Sequence, residues 1–134
     1  MMLSSSPRLL IVDDERALLL SYQLIFNRVG YIVTTANTTD SALALLNQQE
    51  FDLLLCDLSI ERENSGLAIV DAAKRIAPEI GIILMTGFSD DTIPQEVIDR
   101  RTNIVFKPIE IPRLLETVDF MLRGRKTRGL QRPA

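Results

Sequence analysis

A chain of 134 residues, 46% hydrophobic and 25% charged, fits one ordinary domain with a single core and leaves no room for a second. That balance argues against disorder, and a formal net charge of −3 argues against a nucleic-acid surface spread over the whole domain. With no histidine and a single cysteine, Cys56, the chain has no intrachain disulfide and argues against a zinc site or Ser-His or Cys-His catalysis.

In chain order, residues 8–13 read as a buried strand, because their Leu-Leu-Ile-Val core is continuous rather than alternating. Residues 15–29 place Leu18, Leu19, Tyr22, Ile25, Phe26 and Val29 at helical spacing, with Gly30 as the stop. Residues 31–36 are β-branched and read as a second strand. Thr38, Thr39 or Asp40 is placed to cap a helix running to about Gln49. Residues 51–57 form a third, apolar strand, and Cys56 within it reads as a buried structural cysteine. A helix over 67–76 ends before Pro78, and 80–86 is strand four. A weaker helix from Asp90 or Asp91 to about Arg100 tolerates Pro94 near its first turn. Residues 103–107 are strand five, and 110–122 the last helix, with Leu114, Leu115, Val118, Met121 and Leu122 facing inward.

Strand and helix therefore alternate five times. Continuously apolar strands linked by helices imply a parallel sheet covered on both faces, with ligands bound beyond the carboxyl ends of the strands. The polar exceptions fall at those ends: Asp13 and Asp14 after strand one, Asp57 after strand three, Thr86 after strand four and Lys107 after strand five. Three converging carboxylates repel unless a cation joins them, and a hard divalent ion such as Mg²⁺ suits an all-oxygen donor set. An ionised Asp beside it can act as a nucleophile toward phosphorus, with Lys107 and Thr86 supplying charge and a hydroxyl donor.

Val12-Asp13-Asp14-Glu15, Leu55-Cys56-Asp57-Leu58, Met85-Thr86-Gly87 and Phe106-Lys107-Pro108 resemble, in order, the four motifs of CheY-like response-regulator receiver domains. The resemblance covers about residues 8–122. It implies an α/β fold, a (βα)5 doubly wound parallel sheet with flavodoxin-like strand order 2-1-3-4-5. It implies a phosphorelay switch that catalyses only its own phosphorylation and dephosphorylation, with Asp57 as phosphoacceptor and Mg²⁺ as cofactor. Asp14 would ligate the metal directly, Asp13 through water, and the Ser59 carbonyl would complete the protein ligands together with Asp57. Thr86 would follow the phosphoryl group, Lys107 would pair with it, and the Lys107-Pro108 bond would be cis. The implied partners are a sensor histidine kinase or phosphotransfer protein as donor, and a downstream protein or output domain. The latter would meet the face made by the helix over 90–100, strand five and the last helix.

The sequence departs from the family's pattern in places. Ile60-Glu61 stands where Met-Pro is usual, and Gly66 falls nine residues beyond Asp57 rather than eight. The switch aromatic three residues before the strand-five lysine is replaced by Ile104, with Phe106 the nearby aromatic. Ser59 and Phe88 occupy the positions that flank the water path to the phosphoryl group.

Residues 1–7 read as an N-terminal extension, 8–122 as the receiver, and 123–134 as a basic tail or linker stump. From Arg123 onward there are five basic residues and no acid, so the rest of the chain carries about −8 against the total of −3. The short apolar run Leu9 to Val12 is neither a signal peptide nor a membrane span, and a cytoplasmic site without membrane partner or direct nucleic-acid binding is expected. Three rivals remain. A haloacid-dehalogenase-type phosphatase needs Asp-x-Asp, but the residue two beyond Asp13 is Glu15. A flavodoxin-like flavoprotein needs a Ser/Thr/Gly-rich phosphate loop. A pseudo-receiver would keep the fold without phosphorylation.

Overall fold

The computed structural model describes residues 6–62, 65–87 and 102–123. Five parallel strands, β1 (Arg8–Val12), β2 (Ile32–Ala36), β3 (Leu53–Asp57), β4 (Gly81–Thr86) and β5 (Thr102–Phe106), form one sheet in the order β2-β1-β3-β4-β5. The helices among the described residues are α1 (Arg16–Arg28), α2 (Thr39–Gln48), α3 (Gly66–Ile76) and α4 (Ile111–Arg123). This is the expected doubly wound, flavodoxin-like order. The helix expected over 90–100 lies outside the described residues.

The pleat divides the apolar strands between two cores. Leu10, Val12, Leu54, Cys56, Ile82 and Leu84 pack under α2 and α3 with Ala42, Leu46, Ile69 and Val70. Their neighbours Leu9, Ile11, Leu53, Leu55, Ile83 and Met85 pack under α1 and α4 with Tyr22, Phe26, Leu114 and Val118. A strand buried on both faces has no polar position to give up, which is why β1, β3 and β4 read as unbroken apolar runs.

Local chemistry sets the element ends. Thr38 caps α2 by accepting a hydrogen bond from the Ser41 N–H, which settles the three candidates offered by sequence. Gly30, at φ +105°, ends α1, and the N–H groups of Gly30 and Tyr31 satisfy the carbonyls of Asn27 and Phe26. Val29, the last of the apolar positions at helical spacing, is exposed because it sits at the C-cap of α1. In α4, Leu114, Val118 and Leu122 are buried, while Leu115 and Met121 are only partly so. α4 continues to Arg123, whose guanidinium pairs with Asp119 one turn back. β5 ends at Phe106, so Lys107 is the first residue beyond the strand rather than its last.

At the far edge of the sheet Asp52, buried just before β3, accepts the Arg8 N–H at 2.8 Å and donates its own N–H to Arg8 O at 2.7 Å. Its carbonyl accepts the Gly81 N–H at 3.1 Å, so one residue aligns the starts of β1, β3 and β4.

At Gly66 the start of α3 lies against the end of β3. Its N–H donates to Leu58 O at 2.7 Å, and a Cβ there would collide with the Asp57 carbonyl oxygen and lie 3.0 Å from Leu58 O. Those obstacles are backbone, with no flexible side chain to give way. Gly66→Ala should therefore destabilise the fold by roughly 1–3 kcal/mol, outweighing the ~1 kcal/mol of helix propensity that alanine adds. Urea unfolding checks this, and an unchanged or raised midpoint would contradict the close approach.

Candidate functional site

The carboxyl ends of β1, β3 and β4 and the residue after β5 meet on one edge. The two-residue alternation that sends Leu9 and Ile11 toward α1 and α4 carries on to Asp13. The same alternation carries Leu53 and Leu55 on to Asp57, and Val105 on to Lys107. Lys107 Nζ lies 2.7 Å from Asp57 Oδ2 and 3.7 Å from Asp13 Oδ2. The other Asp57 oxygen, Oδ1, accepts the Ser59 N–H at 3.0 Å, and Asp13 Oδ1 accepts the Glu15 N–H at 2.9 Å. Asp14, the exposed member, completes a group of three carboxylates whose oxygens lie within 4.8 Å of one another.

Three carboxylates facing one ammonium leave a surplus of negative charge. Asp13 is fully buried, and its Oδ2 has no hydrogen-bond partner among the described residues. Burial raises the Asp13 carboxyl above its ordinary range, helped by the neighbouring Asp57 and Asp14 charges and opposed by the Glu15 N–H and Lys107. For Lys107, burial on its own would lower the ammonium, but the hydrogen bond to Asp57 and the Asp13 charge outweigh it and raise it overall. A buried carboxylate oxygen left unpartnered beside two other carboxylates fits a hard cation that takes oxygen ligands. The donor set is all oxygen, with neither sulfur nor imidazole, which suits Mg²⁺ better than zinc.

Residues 9–119 match the response regulator receiver domain family. The chain belongs to that family. It is 31% identical over 127 residues to the transcriptional regulatory protein ZraR of Salmonella typhimurium, a match spanning 94% of this chain and 29% of that one. It is 37% identical over 82 residues to the alginate biosynthesis transcriptional regulatory protein AlgB of Pseudomonas putida, covering 61% of this chain and 18% of the relative. The chain thus spans under a third of the length of these relatives. Among solved structures it resembles a response regulator receiver protein from Sinorhizobium medicae, with TM-score 0.81, 22% identity and 90% and 98% of the two chains covered. It also resembles a CheY-like receiver domain from Methanospirillum hungatei, with TM-score 0.79, 27% identity and 90% and 96% covered. The receiver is a module of two-component systems, and the phosphatase and flavoprotein rivals fall with this assignment.

Of the receiver's expected site residues, Asp13, Asp14, Asp57 and Lys107 come together, and the Lys107-Pro108 peptide is cis. Ser59 sits beside Asp57 through its main chain. Thr86 is buried at the end of β4, and its carbonyl accepts the Lys107 N–H at 2.7 Å. By register Thr86 stands opposite Phe106 and Leu84 opposite Ile104, so Ile104 lies one pleat deeper than the hydroxyl, against the α2 and α3 core. Phe88 lies outside the described residues. Cys56, fully buried, has its thiol pushed up by desolvation first and by Asp57 and Asp13 next, which keeps it an unreactive part of the core.

Sequence reading missed Tyr22 as a neighbour of the site. It was placed only on the apolar face of α1, yet its phenol is pushed up by burial and by the Asp13 charge. Among the described residues no helix is long and apolar enough to cross a membrane.

The electrostatics give a change of sign with metal. Asp13→Asn removes one buried charge while its amide oxygen still accepts the Glu15 N–H. In metal-free buffer it should stabilise the receiver by on the order of 1 kcal/mol. With Mg²⁺ at about ten times its dissociation constant the wild type should gain about 1.4 kcal/mol, and the variant less. Thermal melts with EDTA and with Mg²⁺ check both halves, and a variant less stable than wild type in EDTA contradicts the surplus of charge.

Proposed function

We propose that this receiver accepts a phosphoryl group on Asp57 in a Mg²⁺-dependent reaction and thereby switches its partner-binding surface. The observation that carries the reading is the Asp57 carboxylate held 2.7 Å from Lys107 Nζ within a three-carboxylate cluster. Asp14, Asp57 and the Ser59 carbonyl would hold the metal, with Asp13 acting through water. When bound, Mg²⁺ would cancel the surplus of negative charge and draw phosphoryl oxygens to the site. An Asp57 oxygen would form the new bond to phosphorus as the bond from phosphorus to the donor breaks. The electron pair would leave on the donor's histidine nitrogen (or, with acetyl phosphate, on acetate), and Lys107 would move from the carboxylate to a phosphoryl oxygen. Thr86 follows with its hydroxyl. Positioning and charge neutralisation are nearly all that phosphoryl transfer asks of the protein.

The donor would be a phosphohistidine on a sensor kinase or phosphotransfer protein in the cytoplasm. The only chemistry catalysed would be the receiver's own phosphorylation and dephosphorylation. Output would pass through the face made by residues 90–100, β5 and α4 to a downstream protein or to an output domain of a longer protein. ZraR and AlgB are transcriptional regulatory proteins, so such a domain could act on nucleic acid while residues 8–122 do not and 123–134 serve as tail or linker. Ile104 stands at the usual switch position, but register sets Phe106, 43% exposed, beside Thr86, which makes Phe106 the better-placed aromatic.

Incubation with acetyl phosphate and Mg²⁺ should add one phosphoryl mass to the wild type and none to Asp57→Asn. Lys107→Ala should label at least tenfold more slowly, equivalent to about 1.4 kcal/mol in barrier. Intact-protein mass spectrometry reads both. Equal labelling of Asp57→Asn overturns the assignment, and an unlabelled wild type favours a pseudo-receiver. Adding beryllofluoride should move NMR shifts mainly within residues 86–107, and changes confined to 15–50 would contradict the proposed output face.

A further inference from the structure

The loop that leaves Asp57 is held at successive points. Leu58 donates its N–H to Met85 O at 2.8 Å, and Ser59 donates to Asp57 Oδ1 at 3.0 Å. Ile60 is buried in the core under α2 and α3, and its N–H donates to Ser65 Oγ at 2.9 Å. Glu61 makes a different kind of contact. Its N–H shares Ser65 Oγ at 3.3 Å, but its carboxylate leaves the loop, and Oε1 accepts the N–H of Thr39 at 2.9 Å. Thr39 is the first residue of α2, where an N–H has no acceptor within the helix. The cap residue Thr38 already serves Ser41, so the first turn of α2 takes one acceptor from its own cap and one from the loop after β3. The Thr39 N–H in turn holds the Glu61 carboxyl below its ordinary range.

We propose that Glu61 is a positioning residue: its carboxylate ties the loop after β3 to the first turn of α2 and so holds the Ser59 main chain beside Asp57 for divalent-cation binding. The inference rests on the metal reading given above. Ser59 lies between two fixed points, the Asp57 carboxylate on one side and the Ile60 anchor with the Glu61 tie on the other. Its carbonyl can serve a metal only if the segment between them keeps one arrangement. A hydrogen bond this exposed contributes little to global stability, so its effect belongs to the order of the loop. A proline at 61, the residue usual in the family, would have neither the carboxylate nor the N–H that make the tie.

The test compares wild type, Glu61→Ala and Glu61→Gln as the full chain. Mg²⁺ is titrated by NMR, and hydrogen exchange of the Thr39 amide is followed with and without Mg²⁺. Glu61→Ala should raise the Mg²⁺ dissociation constant roughly five-fold and speed Thr39 exchange. Glu61→Gln keeps an oxygen acceptor and should restore both, which separates the tie from the charge and holds even if the alanine variant is less stable. Because coupling is reciprocal, Mg²⁺ should slow Thr39 exchange in the wild type by the same factor. Wild-type Mg²⁺ affinity in Glu61→Ala overturns the inference, as does a glutamine variant that behaves like alanine. A wild type that binds no Mg²⁺ overturns the metal reading itself and the inference with it.

Discussion

The arrangement at the carboxyl edge of the sheet depends on an unequal set of charges: Asp13, Asp14 and Asp57 against, among the described residues, Lys107. Lys107 pairs closely with Asp57, leaving Asp13 at 3.7 Å with a buried oxygen that no hydrogen-bond donor among the described residues reaches. Such a site is incomplete by construction. Recruited positive charge would lower its energy, and under the proposed function an arriving phosphoryl group would increase that need. On the proposed reading the two demands point the same way, so metal binding and phosphoryl acceptance would reinforce one another at one place.

Holding that imbalance requires a rigid floor. Continuously buried β1, β3 and β4 supply it, since side chains that alternate between two cores leave no freedom to slip by one residue. A slip would carry Asp13 or Asp57 to the wrong face. Asp52 aligns the same three strands at their opposite ends through Arg8 and Gly81. Gly66 lets α3 begin against the Asp57 carbonyl, which keeps the following loop close to the site although it is one residue longer than the family's usual loop. Charge is thus set at one edge of the sheet and register at the other.

The parallel sheet and the convergence of Asp13, Asp14, Asp57 and Lys107 at its carboxyl edge were legible from periodicity, while the strand order came from the resemblance of the four motifs to receiver domains. Apolar runs mark buried strands, and the first polar residue after each run marks the functional edge. Element ends were read less well. Lys107 sits past β5, Val29 is exposed at a C-cap, and only the Thr38 side chain's contact with Ser41 separates it from Thr39 and Asp40 as the cap. What sequence could not show was partnership across long separations. Nothing near Glu61 in sequence announces Thr39, and nothing around Tyr22 announces Asp13. The register that sets Phe106 rather than Ile104 opposite Thr86 is likewise a property of two strands taken together.

The central claim, that the crowded carboxylate beside Lys107 is the one that takes the phosphoryl group, is tested most directly by chemical trapping. The protein is phosphorylated in the presence of Mg²⁺ and treated with borohydride, which reduces an acyl phosphate to an alcohol and marks the acceptor as homoserine. Peptide mass spectrometry then reads its position. The account predicts homoserine at position 57, with none when Mg²⁺ is chelated before phosphorylation. Homoserine at position 13 or 14, or a mark at 57 that forms equally without Mg²⁺, would contradict it.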